Sequence, residues 1–241
     1  MDLLEFRSIF TRALAQNNLQ SLTDTQIEHF YHFTNYLLEI NAHTNLTAIR
    51  DIPSIIYKHY VDSLMVSHLL PQGARVLDIG CGPGFPSIPL AITRPDLKII
   101  ALDSTSKKID FVSGAIQLLK LQNISGYAGR AEESATRSKL QKFDFVVSRA
   151  VARLNILCEL SLPYLKSGGT LIALKGAKHA EEVAEASSAL KKLGGELAGV
   201  DDTHLVIGEA KETRAAIEIR LKKPVPSQYP RQYNAILKKP L

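Results

Sequence analysis

Cysteine is scarce, long apolar runs are missing, and acid is nearly absent from one end of the chain. The two cysteines, Cys81 and Cys158, offer neither a disulfide framework nor paired metal-ligand spacing, which excludes a disulfide-stapled module and a structural zinc site. A reducing, cytoplasmic compartment is the expectation. No apolar stretch approaches the roughly 18 residues that a membrane span needs. The opening MDLLEFRSIF carries an early acid and no basic segment before an apolar core, so it is a poor signal peptide and no membrane partner is expected. Neither an internal repeat nor a low-complexity segment interrupts the chain.

What is present suits one domain, or one domain with an appendage: 241 residues, 45% hydrophobic and 22% charged. The net charge of +5 is localised. Residues 211–241 hold eight basic side chains against Glu212 and Glu218, a net +6, so residues 1–210 come to −1, with 21 basic against 22 acidic. Such a block is the footprint of a protein that meets a polyanion, usually nucleic acid, although a lone tail also reads as a solvated, solubilising end.

The first 73 residues read as helical and separate from the rest of the chain. Leu3, Phe6, Ile9, Phe10 and Leu14 recur at helical spacing. In LTDTQI, Thr23 and Gln26 form a capping box, with Leu22 and Ile27 as its hydrophobic staple. A third helix is predicted from about Pro53 to Leu70, ending at Pro71-Gln72-Gly73. From Ala74 the pattern changes to short apolar runs (75–80, 98–103, 124–129, 143–148, 170–176) alternating with amphipathic helices, and two later runs alternate like an antiparallel finish. This predicts an α/β fold, a Rossmann-like parallel sheet with helices on both faces, whose ligands bind beyond the carboxyl ends of the strands.

The strand tips therefore carry the chemistry. After the first comes DIGCGPGFP, where Gly80, Gly82 and Gly84 permit a sharp turn and a close backbone approach at a helix start. The spacing, followed by bulky Phe85 and Pro86, fits a dinucleotide poorly. Asp103, about 20 residues on, is placed to accept from ribose hydroxyls; the alternative is that it caps the helix beginning near Ser104. Together these features are the common arrangement of S-adenosylmethionine-dependent methyltransferases, with Asp78 expected to face the methionine end. In a methyltransferase sheet the third tip, here GRAEES, lies near the adenine, which places Ala131 and Glu132 to contact it, although acids in a first helical turn by themselves mean little. The fourth strand, FDFVVS, is buried on both faces and delivers Arg149 to its tip, where it either pairs with a carboxylate or meets a ligand. No Asn/Asp-Pro-Pro-aromatic amine clamp and no Pro-Cys nucleophile are present, so the acceptor needs neither.

The runs NLTAI, KHYVDSL, VLDIGCGPGFPSIPLAI, ALDSTSKK, GRAEE, FDFVVSRAVA, GGTLIALKG and YPR…KKPL resemble, over essentially the full length, the bacterial small-subunit rRNA guanine-N7 methyltransferases, the glucose-inhibited division protein B family. The resemblance implies methylation at N7 of the guanine at position 527 in the 530 loop of 16S rRNA. It implies S-adenosyl-L-methionine as cofactor, 16S rRNA or the small ribosomal subunit as partner, and a monomer. It places the cofactor against Gly80, Phe85, Ala131, Glu132 and Arg149, near Asp103, and makes Lys175, Arg214 and Arg231 candidates for the RNA side. Arg149 is also the candidate catalytic residue. On this reading residues 1–73 are a helical extension, 74–222 the methyltransferase domain and 223–241 a basic C-terminal tail. Cys81 and Pro83 depart from the usual Ser or Thr and Ala. The Gly-Pro-type turn often found before the final KKPL is missing, which leaves the docking of the last ten residues open.

Guanine N7 has a lone pair and no proton to lose, so no general base is required, and the guanine must lie in a loop because the RNA major groove hides N7. His59 and Asp62, one turn apart, could be read as an acid–base pair. The preferred reading makes His59 and Lys58 surface or RNA-facing groups and Asp62 a structural partner. The rivals are a methyltransferase for another RNA or a protein, and an RNA-binding protein that uses the fold only as a scaffold.

Overall fold

Side-chain caps set where the helices begin in the computed structural model, which describes residues 1–241. The Asp2 carboxylate accepts the Glu5 N–H at 2.9 Å and starts α1 (Leu3–Gln16). The capping box read from LTDTQI is formed: Thr23 Oγ1 accepts the Gln26 N–H and Gln26 Oε1 accepts the Thr23 N–H, starting α2 (Asp24–Thr44). The third helix, α3, starts as Ile52–Ile55, widens into a π-helical segment at Ile56–Val61 and ends as Asp62–Leu64. It is shorter than its apolar pattern predicts. Arg94 takes the carbonyls of Ser67 and Leu70 at 2.9 and 3.0 Å, and the chain there forms only a 3₁₀ turn, Ser67–Leu69.

Seven strands make one sheet in the order β3-β2-β1-β4-β5-β7-β6. They are β1 (Arg75–Ile79), β2 (Lys98–Asp103), β3 (Ile124–Ala128), β4 (Phe143–Arg149), β5 (Leu165–Lys175), β6 (Gly195–Ile207) and β7 (Ala210–Leu221). β1 to β5 pair in parallel, while β7 runs antiparallel to both β5 and β6, the finish the alternating runs predicted. The helices between strands are α4 (Ser87–Thr93), α5 (Ser106–Leu118), α6 (Ser134–Leu140), α7 (Leu154–Ser161), α8 (His179–Glu185) and α9 (Ser187–Leu193). The order of strands reverses between β1 and β4, and a crevice beyond their carboxyl ends is where such sheets bind ligands. The glycine turn and Arg149 stand on its two sides.

Strand alternation sends Val76 and Ile99 to one face and Leu77 and Ile79 to the other, and each face has its own apolar cluster. Phe6, Phe10, Phe30, Phe33 and Tyr60 of the N-terminal helices belong to the first cluster together with Val76 and Ile88, so residues 1–73 and the sheet share one core. Residues 233–238 form α10 (Tyr233–Lys238), whose Ile236 is fully buried in the second cluster. No helix is long and apolar enough to cross a membrane.

Candidate active site

The turn after β1 needs its glycines for two reasons. Gly80 (φ 72°) and Gly84 (φ 92°) are left-handed, and a Cβ on Gly80 would lie 2.4 Å from Val151 Cγ2. The Gly80 and Cys81 N–H groups both donate to the Leu102 carbonyl, at 2.7 and 3.0 Å, which ties the turn to the end of β2. Asp103 completes the tie. Its Oδ2 accepts the Gly82 N–H at 3.0 Å and its Oδ1 the Thr105 N–H at 2.9 Å, so it braces the glycine turn and the start of α5 at once.

Between these elements lies a cavity of about 190 Å³, whose walls include Gly80, Leu102, Asp103, Ala131, Glu132 and Val151. The Ala131 carbonyl accepts the Tyr164 O–H at 2.9 Å, and Glu132 Oε1 accepts Arg130 Nε–H at 2.6 Å, fixing the loop after β3. A carboxylate that still has lone pairs free, beside apolar walls and an unobstructed glycine backbone, fits a nucleoside: hydroxyls on Asp103, a flat base on the apolar side. Asp78, expected to face the methionine end of the cofactor, is enclosed instead. It is fully buried and lines neither cavity of the site; its Oδ2 accepts the Ser87 N–H at 3.2 Å at the start of α4, and its Oδ1 has no partner. Burial pushes its carboxyl up to about 7.

On the other side of Val151 a second, larger cavity of about 570 Å³ opens at the tips of β4 and β5. Arg149 stands on its wall, held by the π-helical segment of α3 and by Asp62 just after it. Its Nη1 donates to the Lys58 carbonyl and to Asp62 Oδ2, both at 2.9 Å, and its Nη2 to His59 Nδ1 at 3.1 Å. A guanidinium can only donate, so His59 Nδ1 accepts and the ring proton sits on Nε2, facing Thr47 Oγ1 at 2.9 Å. His59 is buried and stacks on Phe85 (4.3 Å between centroids, 16° between planes), with Arg149 5.3 Å from the same ring. Burial, and then the Arg149 charge, push His59 down to about 3. His59 is not the surface group expected: aromatic and cationic neighbours pack it as a neutral acceptor, and it contributes to the wall of the larger cavity. Phe85 lies beneath Arg149 and lines neither cavity.

Asp62 is the structural partner expected, and for two cations. Its Oδ1 accepts Arg214 Nε–H at 2.6 Å; Glu212 then pairs with Arg214 Nη2 at 2.8 Å and with Lys58 Nζ at 3.0 Å. Lys175 also lines the larger cavity, its ammonium donating to the Ala152 carbonyl at 2.5 Å and pairing with Glu182 at 2.7 Å. Arg231 is not brought there. It wraps the fully buried Glu159 on α7. Arg153 and Glu182 complete the cavity wall; Arg153 stands four residues past Arg149, and no spacing in the sequence links Glu182 to it. The cysteines are buried, and burial pushes Cys158 up to about 12, so neither serves as a thiolate.

Comparison with known proteins points the same way. The family described as "GidB: rRNA small subunit methyltransferase G" matches residues 26–207. Proteins named ribosomal RNA small subunit methyltransferase G from Lachnoclostridium phytofermentans and Brevibacillus brevis are 43% and 42% identical. The first match covers 91% of both chains, the second 96% of this chain and 98% of that protein. Among solved structures, the O-methyltransferase from Bacillus cereus in complex with SAH superposes with a TM-score of 0.56 at 16% identity, covering 91% of this chain and 100% of that one. The M. jannaschii TYW2 structure in complex with AdoMet gives 0.53 at 15% identity, over 66% and 74%. These two show the fold: a class I methyltransferase sheet.

Proposed function

The chain belongs to the ribosomal RNA small subunit methyltransferase G family, and from that premise we propose how its two cavities divide the methylation of guanine 527 at N7 in the 530 loop of 16S rRNA. The smaller cavity holds the nucleoside end of the cofactor, through the Gly80–Gly84 turn, Asp103, Ala131 and Glu132. When bound, S-adenosylmethionine supplies a methyl group on a positively charged sulfur. The larger cavity, across Val151, receives the guanine.

One observation carries this division: every potential base in the larger cavity is already engaged by a cation. Asp62 is taken by two arginines, Glu182 by Lys175, and the one accepting nitrogen of His59 by Arg149. An acceptor that had to lose a proton would find nothing here to take it. Guanine N7 needs nothing of the kind, since its lone pair is free on the Hoogsteen edge. What the site supplies is alignment, which can be worth roughly 7–11 kcal/mol of barrier in a well-held pair.

Arg149 does the holding. Of its five N–H donors three are spent on α3, which leaves two for O6 of the base or for a phosphate, from a seat that cannot swing. Lys175, Arg214 and Arg153 stand on the same wall, each paired with a carboxylate (Glu182, Asp62 and Glu185), from where they can exchange that partner for an RNA phosphate without reading sequence. The test is mass analysis of 16S rRNA from a strain lacking the gene. N7-methylguanine at 527 should vanish and return with the wild-type gene but not with Arg149→Ala; a methyl group retained in the deletion strain overturns the assignment.

A further inference from the structure

We propose that the C-terminal segment, residues 223–241, is a working wall of the cofactor cavity, with the ring of Tyr233 as the face on which the adenine stacks. The inference rests on the cofactor reading above. Tyr233 opens α10 and lines the same cavity as Gly80, Asp103 and Ala131, although it lies 153 positions beyond Gly80 in the chain. Its ring is itself positioned. The Arg130 guanidinium lies 5.3 Å from the ring centroid, and Arg130 is in turn held by Glu132 at 2.6 Å. The chain Tyr233–Arg130–Glu132 thus joins the tail to the loop after β3, the one expected near the adenine.

A solubilising tail would not be anchored as this one is. Glu159 is fully buried on α7, and its carboxylate accepts from one residue only: the Arg231 backbone N–H at 2.8 Å, Nε–H at 2.9 Å and Nη2–H at 2.6 Å. The remaining Arg231 nitrogen, Nη1, donates to the Lys239 carbonyl at 3.0 Å, closing the tail around α10. Ile236 between them is fully buried in the apolar cluster of that sheet face. A buried carboxylate with a single cationic partner makes the docking obligatory for the fold around it, because removing the partner leaves an uncompensated charge. The ligand this geometry suits is a flat, uncharged heteroaromatic base: the aromatic face of Tyr233 and the apolar side chains of Leu102, Val151 and Leu160 all border the one cavity.

Calorimetry with S-adenosylhomocysteine on the full-length protein tests this without relying on turnover. Wild type binds; Tyr233→Ala binds at least about 10-fold more weakly, within the range measured for loss of one base–aromatic stack, and Tyr233→Phe stays within about 2-fold of wild type. The double variant Glu159→Ala/Arg231→Ala, which removes both charges and so avoids the orphaned carboxylate, weakens binding as much as Tyr233→Ala while its circular dichroism spectrum matches wild type. Tyr233→Ala binding as tightly as wild type overturns this inference alone. Absence of binding by wild type overturns the cofactor reading, and this inference with it.

Discussion

The two cavities that meet at Val151 are built from opposite materials. The smaller one is framed by three consecutive strand tips, Gly80 after β1, Asp103 at the end of β2 and Ala131 after β3, and closed by the apolar and aromatic side chains of Leu160 and Tyr233. The larger one is a lattice of charge. Asp62 comes from α3, Arg149 from β4, Lys175 from β5, Glu182 from α8 and Arg214 from β7. The first is shaped by where the backbone can go, the second by which side chains neutralise one another. Damage to the first should therefore show in cofactor affinity, and damage to the second in turnover.

The largest effects break this contrast most directly. Gly80→Val puts a branched side chain where a single Cβ already lies 2.4 Å from Val151, at a left-handed φ, so binding of S-adenosylhomocysteine should fall at least 100-fold by calorimetry. Arg149→Ala should lower methyl transfer to 30S subunits by 10³-fold or more at saturating cofactor, with S-adenosylhomocysteine affinity changed less than 10-fold. If both variants lose affinity equally, the two cavities are one functional unit and the division fails.

Asp62→Asn is the next step down. It keeps the shape and the Oδ1 acceptor but leaves the Arg149 and Arg214 charges facing each other with half their compensation. Transfer should fall roughly 10- to 100-fold through kcat, with S-adenosylhomocysteine binding within 2-fold of wild type. An unchanged kcat would mean that Lys58 and His59 alone seat Arg149.

The same contrast decides what could be read from the chain. The strand tips of the smaller cavity were legible because each announces itself locally: a glycine cluster after an apolar run, an acid about 20 residues later, then GRAEE; Tyr233, 153 positions beyond Gly80 on the same wall, was not. Arg149 and Asp62 could be singled out, but not their pairing, since 87 positions separate them and no periodicity spans that gap. The basic block of residues 211–241 was visible as composition and misleading as a place. β7 runs alongside β5, so Arg214 lies by the cavity end, next to the Lys175–Ala215 pair, while Arg220 pairs opposite Thr170 at the far end. Arg231 was spent on Glu159 instead. Burial likewise changed two local readings: His59, on the wall of the larger cavity, is packed as a neutral acceptor, and Asp78 is enclosed beneath the glycine turn.

Those two buried groups give the smallest and finest test. Burial disfavours the charged form of both, but with opposite consequences for stability. His59 has its folded pKa depressed from 6.5 to about 3, so between these values the unfolded chain binds a proton that the folded one refuses, and stability is lost as pH falls below 6.5. Asp78 has its folded pKa raised from 3.8 to about 7, so in that window the folded chain keeps a proton the unfolded one releases, and stability is lost as pH rises. Between about pH 4 and 6.5 the two slopes oppose each other. Asp78→Asn removes one of them: its unfolding free energy, from urea titrations at pH 4.5, 5.5 and 6.5, should rise with pH more steeply than wild type by about 1.4 kcal/mol per pH unit, and the two curves should run parallel above pH 8. His59→Asn should tilt the profile the opposite way across the same window. Profiles that stay parallel throughout would show that the carboxyl under the glycine turn is ionised in the folded chain, and that the cofactor side, like the acceptor side, is organised around a charge.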